Sequence, residues 1–190
     1  MGSSQRSVTA AIDAVAAGER AIVRDAAFDT ALRDLALVAL SRDATALAGQ
    51  AETCWARLPL LACASAADGP PTAAVPLAIA VELQATAYSL LDDLEDGDPN
   101  EVARRAGPAV ALNVATALLA LAQRALASVP EAAARILSDG WLVACDGQHR
   151  DLTLAPDGTD PLGAALLAAG LTTAGPAAAA AESGAVVGGA

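Results

Sequence analysis

An all-α fold is predicted by three features of this 190-residue sequence. It contains 53 Ala and 26 Leu, and alanine is the strongest helix former. The aromatic residues that favour sheets amount to one Phe, one Tyr and two Trp. Glycine and proline fall as punctuation between long apolar stretches. The length suits one helical domain, 1–190, with a sizeable core.

The punctuation divides the chain into seven stretches. A first helix is predicted near 7–18, closed by Gly18, and a longer one over 21–48. In the latter, Phe28, Leu32, Leu35, Leu37 and Leu40 recur near helical spacing. A third covers 50–66 and stops at Ala67-Asp68-Gly69-Pro70-Pro71. The fourth has Pro76 in its first turn and runs to Gly97, with Pro99 beyond. A fifth is predicted over 100–127 and a sixth over 130–149, opened by Pro130-Glu131. After a turn at Ala155-Pro156-Asp157-Gly158, a last helical stretch, 161–190, is expected to break near Gly175-Pro176.

Charge narrows the function. There are 22 acidic and 11 basic residues, every basic one is Arg, and the net charge is -11. Such a surface repels phosphate backbones and anionic membranes, so no nucleic-acid partner is expected. Chemistry that needs a Lys is excluded. Cys54, Cys63 and Cys145 with the single His149 match no zinc or redox spacing. They are expected as buried free thiols in a reducing cytoplasm. The first residues lack the apolar core of a signal peptide. Segments 106–123 and 161–181 carry no charge. Both are built largely from Ala and read as buried bundle helices rather than membrane spans.

The end of the fourth helix concentrates the chemistry. Asp92, Asp93, Glu95, Asp96 and Asp98 place five acids within seven residues. On a helix, Asp92 and Asp96 share a face. Their mutual repulsion, worsened by the helix C-terminal dipole, favours a cation. Oxygen-only ligands select Mg²⁺, or Mn²⁺, over zinc. The apolar run in front of them lines a dry cavity suited to a diphosphate with a hydrocarbon tail. A solvated acidic helix end is the plainer alternative. An EF-hand loop fails, because Leu94 and Ala103 fall where oxygen ligands are needed.

The stretch VELQATAYSLLDDLEDGD resembles the first aspartate-rich helix of the trans-isoprenyl diphosphate synthases, with DDxxD at Asp92, Asp93 and Asp96. Glu82 matches an acidic residue ten positions upstream. Arg104-Arg105-Ala106-Gly107-Pro108 resembles the RRG-x-P segment, with Ala106 interrupting it. Gly147-Gln148-His149-Arg150-Asp151 is similar to GQ-x-x-D. The resemblance implies an isoprenoid-synthase-like bundle, covering about the first two-thirds of a typical member. It further implies Asp92, Asp93 and Asp96 as catalytic Mg²⁺ ligands, and Arg104, Arg105 and Gln148 as contacts of an allylic isoprenyl diphosphate. Tyr88 becomes the floor that limits product length to a short chain. A homodimer, or a heterodimer with a homologous chain, is expected.

The departures are equally specific. The basic isopentenyl-binding segment would fall at Cys54-Trp55-Ala56-Arg57-Leu58-Pro59-Leu60, where Pro59 alone fits and Arg57 is a displaced remnant. The K-T dipeptide would fall near Leu171-Thr172-Thr173, without its Lys. Ala85 and Leu91 replace two flanking histidines, and the sequence ends before the position of the family's second aspartate-rich motif. A non-catalytic subunit of a heteromeric synthase, or a fragment of a full enzyme, therefore stays open beside the active prenyltransferase.

Overall fold

The computed structural model describes residues 3–45, 55–66, 71–98, 100–153 and 160–190, with side chains from residue 7 and, in the first segment, up to residue 41. Every secondary-structure element among the described residues is helical. The first helix, α1 (Ser3–Arg24), runs past the expected stop at Gly18. Gly18 serves packing instead: a Cβ there would collide with the end of Ile79 on the central helix. The chain leaves the helix after Arg24, which splits the predicted 21–48 stretch. Asp29 restarts it by accepting the Leu32 backbone N–H at 2.8 Å, and α2 (Thr30–Thr45) follows. Arg33 pins the connection by donating to the Phe28 carbonyl at 2.9 Å.

The helix α3 (Arg57–Ala66) is followed by a 3₁₀ turn, Pro71–Ala74, that leads into α4 (Val75–Glu95). The expected breaker at 67–70 lies outside the described residues. Pro76 occupies the first turn of α4, as predicted. This helix is the axis of the molecule. Leu77, Val81, Leu83 and Leu90 are buried, and α6 packs along it. Each fully buried leucine contributes about 1.5–3 kcal/mol. Glu82 is also buried; its carboxylate accepts the Ala56 backbone N–H and so ties the start of α3 to α4.

The predicted 100–127 helix is two helices. Asn100 caps α5 (Glu101–Ala106) by accepting the Ala103 N–H at 2.9 Å. Gly107 then turns the chain at φ 89°, a conformation that side chains with a Cβ disfavour. Pro108 opens α6 (Pro108–Leu126). The helix α7 (Glu131–Leu152) starts where expected and runs three residues further. Residues 154–159, with the expected turn, lie outside the described set. The last stretch is continuous rather than broken at Gly175-Pro176. Between α8 (Pro161–Ala169) and α9 (Gly175–Gly188) the chain widens into a π-helical segment, Gly170–Ala174. Pro176 cannot donate a backbone hydrogen bond, and a widened turn just upstream accommodates its ring. On its far side α9 packs against α3 and α7, where Ser183 donates to the Ala133 carbonyl at 2.9 Å.

Three helical stretches, Pro71–Glu95, Pro108–Leu126 and Pro161–Gly188, are long and apolar enough to cross a membrane by length and composition. The bundle buries 61% and 44% of the most apolar windows of the first two, but only 22% of the third. The expectation of a buried helix over 161–181 is thus corrected. Leu162, Leu166 and Leu167 of α8 lie exposed, as does Leu142 on α7. The cysteines divide as well: Cys63 is buried, Cys145 is exposed, and Cys54 lies outside the described residues.

Candidate active site at the acidic end of α4

Successive residues of a helix are turned by about 100°, so the acids that end α4 cannot all share one face. Asp92 and Asp96, one turn apart, open with Glu95 onto a pocket of about 660 Å³ bounded by α4, α7, α8 and the π-helical segment. Asp93 lines a separate cleft of about 470 Å³, beside Asp98, Glu101 and Arg104.

The C-terminal ends of α4 and α7 form the polar rim of the larger pocket. Asp92, Glu95 and Asp96 come from α4, and Gln148, His149 and Asp151 from α7. The lining also includes small and apolar residues, Ala85 and Leu91 from α4, Ala144 from α7 and Ala168 from α8. Part of the lining is aromatic. Tyr88 stacks on Trp141 with ring centroids 4.4 Å apart and planes 3° from parallel. Trp55, just before α3, tilts against Trp141 at 6.2 Å and 40°. The Tyr88 hydroxyl lies 3.5 Å from the Cys145 sulfur, and burial, with that sulfur second, raises the phenol pKa above its ordinary value. Tyr88 therefore remains a neutral ring.

Burial also raises the Asp92 carboxyl above the usual carboxylate range, and the neighbouring charge of Asp96 adds to it. Asp93 and Glu95 push in the same direction, while the Gln148 amide opposes them. That amide approaches Asp92 without closing a well-formed bond: its buried Nε2 has no partner within hydrogen-bonding geometry. The rim thus combines crowded carboxylates with an unused donor.

Among the described residues no three metal-ligating side chains converge on one point. The expected set of Asp92, Asp93 and Asp96 is accordingly divided, because helical rotation turns Asp93 away. Asp92 and Asp96 still fit Mg²⁺, which takes one or two carboxylates and fills its octahedron with water and substrate phosphate oxygens.

No family model matches the sequence. Tryptophan prenyltransferase ComQ of Bacillus spizizenii is 37% identical over 84 residues, which are 43% of this chain and 30% of that protein. The polyprenyl synthetase of Streptomyces coelicolor A3(2) superposes with a TM-score of 0.75 at 26% identity, over 98% of this chain and 58% of its own. The resemblance is to the trans-isoprenyl diphosphate synthases. Geranylgeranyl pyrophosphate synthetase from the archaeon Geoglobus acetivorans shares the fold at a TM-score of 0.79 and 19% identity, over 98% of this chain and 61% of its own. The chain therefore spans less than two-thirds of the length of each of these relatives.

Within this synthase fold, the structure brings together some of the expected site residues and separates others. Asp92, Asp96, Gln148 and Tyr88 share the large pocket, with Tyr88 one turn below Asp92. Arg104 lines the smaller cleft, and Arg105 lines neither. Both guanidiniums bind Glu101, at 2.9 and 2.7 Å, and hold its carboxyl below the usual range, Arg105 first. Glu82 supports α3 and does not line the pocket. Trp55, Trp141, Cys145 and His149 are pocket residues that sequence reasoning did not assign. Trp141 was accessible to it: seven residues before Gln148 is two turns of the same helix face. Trp55 carried no such signal, since it reaches the pocket from another element.

Proposed function

We propose that the chain acts as a Mg²⁺-dependent prenyltransferase on an allylic isoprenyl diphosphate, with a short-chain product. The observation that carries this reading is the pocket itself: Asp92 and Asp96 line it together with the rings of Tyr88, Trp141 and Trp55 and with small apolar side chains. A bound Mg²⁺ would supply charge stabilisation for the departing diphosphate. Asp92 and Asp96 would hold it, and Gln148 has an amide donor free to meet a phosphate oxygen. The small apolar residues of the lining would contact the prenyl chain, and the aromatic rings add a surface favourable to developing positive charge. Tyr88, half-buried against Trp141, sets the depth available to the prenyl chain.

Isothermal titration with geranyl diphosphate tests this. Saturable binding that disappears on removal of Mg²⁺ is expected; binding indifferent to Mg²⁺, or none, defeats it. A non-catalytic subunit is the second reading. It is favoured by the distance of Arg104 and Arg105 from the pocket and by the absence of a three-ligand metal cluster among the described residues. Binding without turnover in the presence of an acceptor selects it. The exposed Leu142, Leu162, Leu166 and Leu167 support pairing with a second copy or a homologous chain, which sedimentation at micromolar concentration checks.

A further inference from the structure

Tyr88 does not limit the length of the prenyl chain by itself. Resting on the reading above, we infer that the limit belongs to the stacked pair Tyr88–Trp141, with Trp141 on α7 as the residue that determines it.

Two contacts between α4 and α7 fix levels in the pocket. Gln148 approaches Asp92 at the carboxylate rim, and Trp141 stacks on Tyr88 nearer the start of both helices. At 1.5 Å per residue, Tyr88 lies about 6 Å from Asp92 along α4, and Trp141 about 10 Å from Gln148 along α7. The lining continues past Tyr88 to Ala85, three residues nearer the start of α4. On α7 it ends at Trp141; Leu137, one turn earlier, is fully buried and does not line it. Val81, one turn before Ala85, is likewise fully buried. Ala85 is small, so the indole of Trp141 supplies the bulk that a chain meets at this level. An isoprenyl unit adds four carbons in line, about 5 Å at ordinary bond lengths. Two units therefore span the distance from rim to indole.

Trp141 is also the ring with least freedom to yield. It is 6% exposed and is held by Tyr88 at 4.4 Å and Trp55 at 6.2 Å. Its backbone is fixed one residue away, where a Cβ on Gly140 would collide with Ala179; α7 meets α9 there and has no room to retreat. Tyr88 is only half-buried, and the Cys145 sulfur is a weak partner for its hydroxyl. It turns aside only as far as Trp141 permits. The Trp141 Nε1 has no hydrogen-bond partner among the described residues. Replacing the indole with a smaller apolar side chain therefore removes volume and leaves no acceptor orphaned.

The thiolodiphosphates of dimethylallyl, geranyl and farnesyl alcohols, analogues slow to ionise, are titrated onto the chain with Mg²⁺. The corresponding prenols are titrated onto the metal-free chain. The parent should bind the geranyl compound best, with farnesyl about tenfold weaker. Trp141→Leu, checked for native helicity, should raise farnesyl relative to geranyl by about tenfold, at least as far as Tyr88→Ala does. Ala85→Leu fills the level of Trp141 without opening a cavity. It should weaken geranyl relative to dimethylallyl about fivefold or more, and it decides the matter if Trp141→Leu does not fold. A farnesyl-to-geranyl ratio that responds to Tyr88→Ala and less, or not at all, to Trp141→Leu overturns the inference. So does an Ala85→Leu variant that discriminates as the parent does. If no thiolodiphosphate binds, the prenyltransferase reading fails separately, and the prenol series then measures the same limit on the apolar lining alone. Prenols that do not bind, or whose ranking ignores Trp141, overturn the inference too.

Discussion

Asp92 and Asp93 are adjacent in sequence, yet they belong to two different environments. Asp93 faces a cleft where Arg104 and Glu101 supply charges of both signs. Asp92 faces a pocket where carboxylates crowd one another and no described arginine enters. One side of the helix end includes an arginine among its acids; the other has carboxylates and no described arginine, a charge that an external cation can relieve. What separates the two environments here is one step of helical rotation, not a difference in residue type.

The largest effect should come from removing the relief. Asp92→Ala or Asp96→Ala is expected to weaken Mg²⁺-dependent binding of geranyl diphosphate by more than about 100-fold, the upper end for losing a mere supporting contact of a metal site. Asp93→Ala should cost less than about tenfold. Equal losses at Asp92 and Asp93, measured by titration calorimetry, would erase the distinction between the two faces.

A second substitution deforms only the pocket. A Cβ on Gly147 would sit 2.6 Å from Leu171 Cβ and 2.8 Å from the Thr172 nitrogen. Gly147→Ala should therefore push the π-helical wall outward and destabilise the fold by about 1–3 kcal/mol. Chemical denaturation reads the loss; an unchanged midpoint would show that the wall yields freely.

A smaller effect concerns protonation. Because the Asp92 pKa is raised on folding, the native state binds this proton more tightly than the unfolded chain. The associated stability is full below the ordinary carboxylate value and is lost as pH rises through the folded one. Asp92→Asn should consequently stabilise the metal-free protein at neutral pH by a few tenths of a kcal/mol, with the gain vanishing in acid. Mg²⁺ binding to the native carboxylate should weaken as pH falls through the same window. A thermal melt series in which the difference between Asp92→Asn and the parent does not shrink as pH falls would contradict the crowding of the rim.

The least change is expected on the side that contains Arg104. Glu101→Gln breaks two exposed ion pairs, and such pairs contribute little once solvent and salt screen them. Melting should not shift measurably. A clear shift would mean that the smaller cleft has a structural weight its exposure does not suggest.

The fold class and the acidic rim were legible in the sequence because both rest on local rules. Alanine-rich stretches with proline at their starts formed helices, and Asp92 and Asp96 share a face by arithmetic alone. Boundaries failed where tertiary contact overrode a local sign. Gly18 reads as a terminator but accommodates Ile79, while Gly107, inside the predicted 100–127 helix, does end one. The placement of Arg104 was not legible, because it depends on the turn that Gly107 and Asn100 impose on α5. Nor was the aromatic wall: it gathers Trp55, Tyr88 and Trp141 from three separate elements, and only packing brings them together.

That wall gives the molecule an unusually simple optical property. The chain has two tryptophans, Trp55 and Trp141, and both border the same pocket. Excited at the red edge of the aromatic absorption band, the whole protein emits from that single location. The stacked Tyr88 and the Cys145 sulfur beside it complete the surroundings of one emitter. Any molecule entering the shaft changes the polarity and quenching around both indoles, so occupancy can be followed in unlabelled protein with no distant tryptophan adding background.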